Sequence, residues 1–317
     1  MKKIVAMVSV MAMLAAGMVG CKKDAGLDKK LEENKNKKSY TVGVCQLMKH
    51  DSLDAATQGF QDALKEEVEK TGKTVAIEVQ VAGDSAKCTT VINTYTAKEV
   101  DLIMGNATPA LLAAATATGD IPVLGTSVTD YKDTFEGTIP GNVSGTSDAV
   151  PFDEQAKMMI ETLGLKSGDK VGVLYCTNET NSKLQYEAVK AEFQASGISA
   201  VAYTFAEANQ MQAVVTKMMS ECVAIYVPSD NTVANNESIL ANACNGKIPV
   251  YTSYASSVSY ASLAIDYYEL GRETGKMAAQ ILLEGKSPAS IEVKTLTPTK
   301  IYNKELCGQL GITVPAE

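Results

Sequence analysis

The chain has 317 residues, 45% of them hydrophobic, and a formal net charge of −8. That length accommodates two domains of ordinary size, and the composition is that of a globular protein. An acidic body without a basic stripe excludes a nucleic-acid binder, and a single His leaves little material for a zinc centre or a nucleophile–base pair.

Met1-Lys2-Lys3 precedes an uncharged run from Ile4 to Gly20, and Met18-Val19-Gly20 leads into Cys21. A positive start, an apolar stretch and a small residue at the cut site predict an export signal over residues 1–20. The run falls short of the roughly 20 apolar residues that a membrane span needs. A Cys directly after the small residue predicts lipidation of Cys21, by an acyl group such as palmitate, and membrane anchoring outside the cytoplasm. Residues 21–38 hold seven Lys against four Asp or Glu and no apolar periodicity. They are expected to form a flexible linker, whose lysines suit the second signal that one acyl chain requires for stable anchoring. No fold is expected before Ser39.

Tyr40-Thr-Val-Gly-Val-Cys45 is a short β-type run. In the helix that follows, Leu53, Ala56, Phe60, Leu64 and Val68 share one face at helical spacing, and Gly72 ends it. Asp101–Gly105 leads through Asn106-Ala-Thr-Pro109 into an Ala-rich helix and then Ile121-Pro-Val-Leu-Gly125. The plan then recurs. Lys170–Tyr175 repeats the Val-Gly-Val core 129 residues later, and Cys222–Val227 leads through Pro228-Ser-Asp-Asn231 to Ile248-Pro-Val, 127 residues after the first Ile-Pro-Val. Strands alternating with helices predict parallel sheets built from right-handed βαβ units. The repeat therefore predicts two similar Rossmann-like α/β domains.

A strand at Ser262–Ile265, a helix from Tyr267 to Leu283 and a last strand near Lys300–Tyr302 complete the chain. The strand and helix of the 260s have no counterpart in the repeat and are assigned to the first lobe. The N-terminal lobe is thus expected over 39–141 and 255–290, and the C-terminal lobe over 142–254 and 291–317. Three crossings, near Gly141, Tyr254 and Ile291, would form the hinge. Besides Cys21 the chain has Cys45, Cys88, Cys176, Cys222, Cys244 and Cys307, an even number that permits disulfides. The apolar, strand-like settings of Cys45, Cys176 and Cys222 favour buried thiols instead.

Ligands of open parallel sheets bind beyond the carboxyl ends of the strands, where helix N-termini offer N–H groups and positive dipole ends. The loops there are Gln46–Asp54, Asn106–Pro109, Thr126–Asp130, Thr177–Asn181, Pro228–Asn231 and Thr252–Ser257. They place Leu53, Ala107, Thr126, Val128, Asn178 and Pro228 among the candidate cleft residues. Thr108-Pro109 suits a helix start, either as a cap alone or as a site for a ligand carboxylate. Asp230 is either a helix cap or the partner of a ligand ammonium, a role for which Asp130, Asp148 and Asp266 compete. Gln46 and His50 flank the end of the first strand, within reach of a ligand edge. Tyr175 and Tyr254 offer stacking faces or pack the core. No Gly-x-Ser-x-Gly elbow, Walker loop or Gly-x-Gly-x-x-Gly fingerprint occurs, so neither catalysis nor a cofactor or metal is expected.

The ordered set Gln46-x3-His50-x2-Leu53-Asp54, Ala107-Thr108-Pro109, Thr129-Asp130, Gly145-Thr-Ser-Asp148, Val173-Leu-Tyr175, Val227-Pro-Ser-Asp-Asn231 and Ile265-Asp-Tyr-Tyr-Glu-Leu-Gly271 is familiar. It resembles the substrate-binding lipoprotein family of ABC importers that includes tryptophan/tyrosine-binding members, over about Tyr40 to Pro315. The resemblance implies a periplasmic-binding fold of type I, closure of two lobes on a solute, and an ABC permease with its ATPase as partners. It also implies an amino acid of the aromatic type as ligand, with Thr108, Pro109, Thr129, Asp130, Asp230 and Asn231 carried over as binding positions. A monomer is expected. The alternative role for such a receptor is sensing, with a membrane signalling protein as its partner. Absence of Trp and the small number of Phe lean away from a sugar.

Overall fold

A computed structural model describes residues 25–244 and 246–315. The export signal and the Cys21 lipidation site expected from the sequence lie outside the described residues. The chain begins with α1 (Ala25–Asn36), β1 (Ser39–Gln46), α2 (Asp51–Glu69), β2 (Thr74–Val81), α3 (Ser85–Ala97), β3 (Leu102–Asn106) and α4 (Thr108–Ala117). It continues through β4 (Val123–Val128), α5 (Tyr131–Thr134), β5 (Val143–Ser147), α6 (Phe152–Leu163), β6 (Lys170–Cys176), α7 (Thr180–Ala195) and β7 (Ser199–Phe205). Next come α8 (Met211–Glu221), β8 (Ala224–Val227), α9 (Asn231–Asn235), α10 (Glu237–Cys244), β9 (Val250–Thr252) and β10 (Ala261–Ala264). The last elements are α11 (Tyr267–Glu284), β11 (Lys294–Thr295), β12 (Thr299–Tyr302) and α12 (Lys304–Leu310).

The strands form two sheets, in the orders β11-β5-β4-β3-β1-β2 and β12-β10-β9-β8-β6-β7. The orders match strand for strand, so the duplication suggested by Val-Gly-Val and Ile-Pro-Val is a duplication of topology. Pairings are parallel apart from β10 with β12, which is antiparallel. Leu53, Ala56, Phe60, Leu64 and Val68 of α2 are all buried, and Gly72 beyond its end has a φ of 71°. This helix packs closely on α11. A Cβ at Gly59 would lie 2.0 Å from the Tyr268 carbonyl oxygen, and one at Gly271 2.0 Å from that of Ala56. The helix of the 260s thus packs with the first lobe.

The lobe boundaries differ from those read in the sequence at all three crossings. β5 pairs with β4 in the first sheet, so the first crossing follows Ser147 instead of lying near Gly141. Its sequence, Val-Ser-Gly-Thr-Ser, is too polar and short to signal a strand. Gly145 is required there because it faces Gly125 in register, where a Cβ would meet the Gly125 carbonyl oxygen at 2.0 Å. β10 pairs with β9 and β12 in the second sheet, so the strand of the 260s is the counterpart of β5 and belongs to the second lobe. The second crossing accordingly follows Ala264, not Tyr254. β11 pairs with β5, which moves the third crossing past Thr295 from Ile291.

The linker expected over residues 21–38 is also corrected. Ala25–Asn36 is helical, with Leu27, Leu31 and Asn34 buried, and lysines in and just after it are engaged within the protein: Lys29 with Glu33, Lys35 with Glu32, and Lys30 and Lys37 with Asp101. Cys45, Cys88, Cys176, Cys222, Cys244 and Cys307 are free thiols, all buried except half-buried Cys222.

Candidate functional site

The carboxyl ends of both sheets face one another across a small cavity. Its walls are His50, Ser52 and Leu53 at the start of α2, Ser127 on β4, and Asp148 at the first crossing. The second lobe adds Asn181, Ser229, Asp230, Asn231 and Ala234, and Tyr254 and Tyr267 complete it. The free space is about 10 Å³, room for about one water. A solute of amino-acid size therefore reaches these residues only when the lobes part.

Among the described residues, two side-chain hydrogen bonds cross directly from lobe to lobe. His50 Nε2 lies 3.2 Å from Asn231 Oδ1. Asn231 Nδ2 donates to Glu179 at 2.8 Å, which fixes the amide and makes Oδ1 the acceptor, so His50 donates from Nε2. Burial is the main cause that lowers the His50 pKa, leaving a neutral imidazole at neutral pH. The second bond runs from Gln185 Nε2 to Thr129 Oγ1, at 3.3 Å.

Three carboxyl groups are buried at or behind the cavity. Asp148 accepts from Thr129 Oγ1 at 3.0 Å and from the Tyr267 hydroxyl at 2.9 Å. Burial raises its pKa, against the pull of those two bonds. Asp230 accepts from the N–H groups of Cys176 at 2.8 Å and Val233 at 2.9 Å, and so caps α9. Its pKa is raised further, by burial first and then by the negative charge of Glu179. Glu179 is held by four donors, the backbone and side chains of Asn231 and Thr232, at 2.7 to 2.8 Å. Among the residues lining the cavity there is no Lys or Arg.

Two further observations mark this place as built for a polar guest. Ser127 Oγ and Asn181 Oδ1 are buried and have no partner, a state that costs about 1–3 kcal/mol per group unless a ligand or water supplies the bond. Ser127 also has a φ of 56°, and Ala107 at the start of α4 a φ of 84°. Such backbone conformations cost on the order of 1–3 kcal/mol in non-glycine residues and concentrate at binding sites. Surplus acceptors, two cavity carboxylates and aromatic and aliphatic walls suit a ligand with a cationic group, N–H or O–H donors and an apolar body.

Of the residues selected from the sequence, His50, Leu53, Asp148, Asp230, Asn231 and Tyr254 line this cavity. Thr129 stands one bond behind it, holding Asp148. The others lie elsewhere. Gln46 is consumed inside the first lobe, donating to Met48 O at 2.7 Å and Asp54 at 2.6 Å and accepting from Thr57 at 2.6 Å. Thr126 bonds Thr146 at 3.1 Å below the sheet end, and Val128 packs in the lobe core. Ala107 and Thr108 are buried at the start of α4 with Pro109 beside them, outside the cavity walls.

Asp130 and Asp266 are exposed caps of α5 and α11, accepting from Lys132 N at 2.7 Å and from Glu269 N at 3.1 Å, so neither competes for a ligand in the cavity. Asn178 is exposed and donates to Ala206 O at 3.2 Å on an outer groove between the lobes. Pro228 is buried next to the cavity and its carbonyl accepts from Asp230 N at 2.7 Å. Tyr175 stacks on Tyr186, with centroids 5.5 Å apart, in the second lobe.

Sequence reasoning passed over Ser127, Asn181, Ser229 and Tyr267 as site residues, and Glu179 behind them. Ser127, Glu179, Asn181 and Ser229 all fall inside loops that the strand-end argument had marked. Tyr267 carried no such signal, because its hydroxyl reaches Asp148 across 119 residues of sequence.

Two parallel α/β lobes, joined by three crossings and closing over a polar cavity, define a two-lobed solute-trapping protein. The chain belongs to the family of ABC transporter substrate binding proteins, whose model matches residues 41–317. A tyrosine-binding protein of Clostridioides difficile is 32% identical over 317 residues, covering 96% of this chain and 90% of that one. A Streptococcus pneumoniae protein crystallised with L-Trp is 33% identical with a TM-score of 0.78, over 86% of this chain and 96% of the other. A substrate binding protein of Clostridium difficile with adhesive properties, in a ligand-free open structure, is 32% identical, with a TM-score of 0.66 over 87% and 96% of the two chains. At nearly equal identity, the overall superposition is closer on the L-Trp-bound protein than on the ligand-free open one.

Proposed function

We propose that the protein captures an aromatic amino acid of the tryptophan or tyrosine type between its lobes, outside the cytoplasm, and presents it to an ABC permease and its ATPase. The observation that carries this reading is the cavity itself. Asp148 and Asp230 offer negative charge to an ammonium group, while Leu53, Tyr254 and Tyr267 offer an apolar and aromatic wall. The ligands named for the two relatives above have that combination. The hydroxyls of Ser52 and Ser127 in the cavity wall, the latter without a partner, supply neutral donors that a carboxylate needs in a cavity without Lys or Arg. The Met18–Cys21 pattern supports a lipid anchor at Cys21.

A thermal-shift panel of L-Trp, L-Tyr, L-Phe, aliphatic amino acids and sugars tests the ligand. A ligand that binds only the folded protein stabilises it by RT ln(1 + [L]/Kd). Aromatic amino acids should raise Tm in a concentration-dependent manner and sugars should not. A shift with sugars alone, or with none of the panel, sinks the assignment. For the anchor, incorporation of an alkyne-bearing fatty acid in cells should vanish in the Cys21→Ala variant.

A further inference from the structure

Helix α1 is docked on a defined part of the first lobe. Leu27 and Leu31 join the cluster that contains Val42, Met277, Ile281 and Leu282. Asn34 Nδ2, fully buried, donates to Asp101 O at 3.1 Å, and Lys30 Nζ donates to Glu99 O at 2.8 Å. Two glycines let the helix come close. A Cβ at Gly26 would lie 2.0 Å from Asp120 Oδ1, and one at Gly285 would lie 2.3 Å from Lys35 Cδ. Asp101 precedes β3, Asp120 precedes β4, and Gly285 follows α11. These are the amino-terminal ends of the first sheet, the pole opposite the cleft.

We propose that α1 fixes the anchored end of the chain to this pole, so that the membrane-bound protein, between encounters with the permease, stands with its first lobe against the lipid surface and its second lobe outermost. The proposal rests on the lipidation of Cys21 put forward above. Four peptide units separate Cys21 from Ala25, a reach of at most about 14 Å, whereas eighteen free linker residues would reach roughly 60 Å. The eight residues of β1 separate the pole from the cleft by roughly 26 Å at about 3.3 Å each. The outer face of α1 is polar and of mixed sign, with exposed Asp28, Lys29, Glu32 and Glu33. Such a face suits contact with headgroups and not insertion among acyl chains. The first lobe is then the stationary one, and the second lobe is the one that swings when the cleft opens.

The chain has no Trp, so one introduced Trp is a unique donor for energy transfer to lipid. Full-length lipidated protein carrying Lys29→Trp on α1, or Lys166→Trp at the far end of the second lobe, would be bound to phosphatidylcholine/phosphatidylglycerol vesicles with dansyl-labelled headgroups. Transfer from the first probe should exceed that from the second several-fold. The double change Leu27→Asp and Leu31→Asp should abolish the difference, and it should expose α1 to trypsin at Lys30 while ligand binding persists. Equal transfer from both probes in the parent protein overturns the fixed orientation. The anchor is judged separately: if Cys21→Ala protein still sediments with membranes, lipidation fails, and if it does not, only the orientation remains in question.

Discussion

Replacing Asp148 with Asn separates a ligand-binding carboxylate from a structural one. The side chain is buried and accepts from Thr129 Oγ1 at 3.0 Å and Tyr267 OH at 2.9 Å. Asn keeps its volume and one acceptor, so the Thr129 bond survives and the Tyr267 hydroxyl must share or turn. The negative charge opposite the ligand ammonium is what disappears. Removing one side of a desolvated charge pair costs about 2–5 kcal/mol. For a substitution that retains a hydrogen-bonding oxygen, the lower part of that range applies. At about 1.4 kcal/mol per tenfold, a loss of about 2–3 kcal/mol weakens binding by roughly 30- to 150-fold.

The stability of the ligand-free protein should move little or rise, because burial raises the Asp148 pKa and a buried charge without a full partner is unfavourable. Titration calorimetry with L-Trp and L-Tyr gives the affinity, and thermal melting without ligand gives the stability. Asp230→Asn is the contrast: Asn still caps α9, but its amide NH2 would face the Cys176 N–H that Oδ2 now accepts, and leaving that buried donor unpaired should cost about 1–3 kcal/mol of stability as well. If Asp148→Asn binds both amino acids within threefold of the parent, Asp148 does not meet the ammonium and the reasoning is wrong.

The raised pKa values of Asp148 and Asp230 imply a pH dependence with a definite sign. A carboxyl group raised by folding and closure contributes stability below its unfolded pKa and loses that contribution as pH rises through the folded value. Pairing with an ammonium needs the ionised form, so affinity should rise from acid pH toward neutrality, and binding should release protons. Calorimetry in buffers of different ionisation enthalpy reads that release directly, and a binding enthalpy independent of buffer would exclude it. Ser127→Gly should relieve the strain of a φ of 56° and raise stability by about 1 kcal/mol. The same change should weaken ligand binding through loss of its unpartnered hydroxyl, and melting curves with and without ligand separate the two effects. Gly271→Ala, one turn along α11 from Tyr267, would force a Cβ to within 2.0 Å of the Ala56 carbonyl oxygen. It should destabilise the first lobe by about 1–3 kcal/mol in urea unfolding.

The fold was legible wherever local pattern and tertiary role coincide. The apolar face of α2 and the Val-Gly-Val and Ile-Pro-Val strands carry their periodicity in their own residues, so the duplicated α/β plan could be read from them. β5 and β10 could not be placed, because short strands such as Val143–Ser147 and Ala261–Ala264 acquire their sheet only through long-range pairing. α1 was hidden for a related reason. It buries just Leu27, Leu31 and Asn34, too sparse a pattern to stand out in a Lys-rich stretch. The strand-end rule found the right loops for the cavity but not the right side chains within them. Asp130, Asp148, Asp230 and Asp266 look alike in sequence; two prove to be exposed helix caps and two lie in the cavity wall. Only the direction of each side chain separates them.

That distinction bears on how closure is driven. The bonds that join the lobes directly, His50 to Asn231 and Gln185 to Thr129, link neutral groups and contribute on the order of 1 kcal/mol each. Against them stands the burial of Asp148 and Asp230, which raises both pKa values and makes closure over an uncompensated cavity unfavourable near neutral pH. An ammonium group changes that balance by supplying the missing positive charge only in the closed form. A ligand shifts a two-state equilibrium by its differential affinity for the two states, and here the difference resides in the two carboxylates. A neutral aromatic compound of the same shape would gain the contacts of Tyr254, Tyr267 and Leu53 yet leave the charges unpaired. Indole or p-cresol should therefore bind much more weakly than the corresponding amino acids and should leave the lobes open in solution scattering. Compaction by indole to the same radius of gyration as L-Trp would show that apolar contact, not charge pairing, closes the cleft.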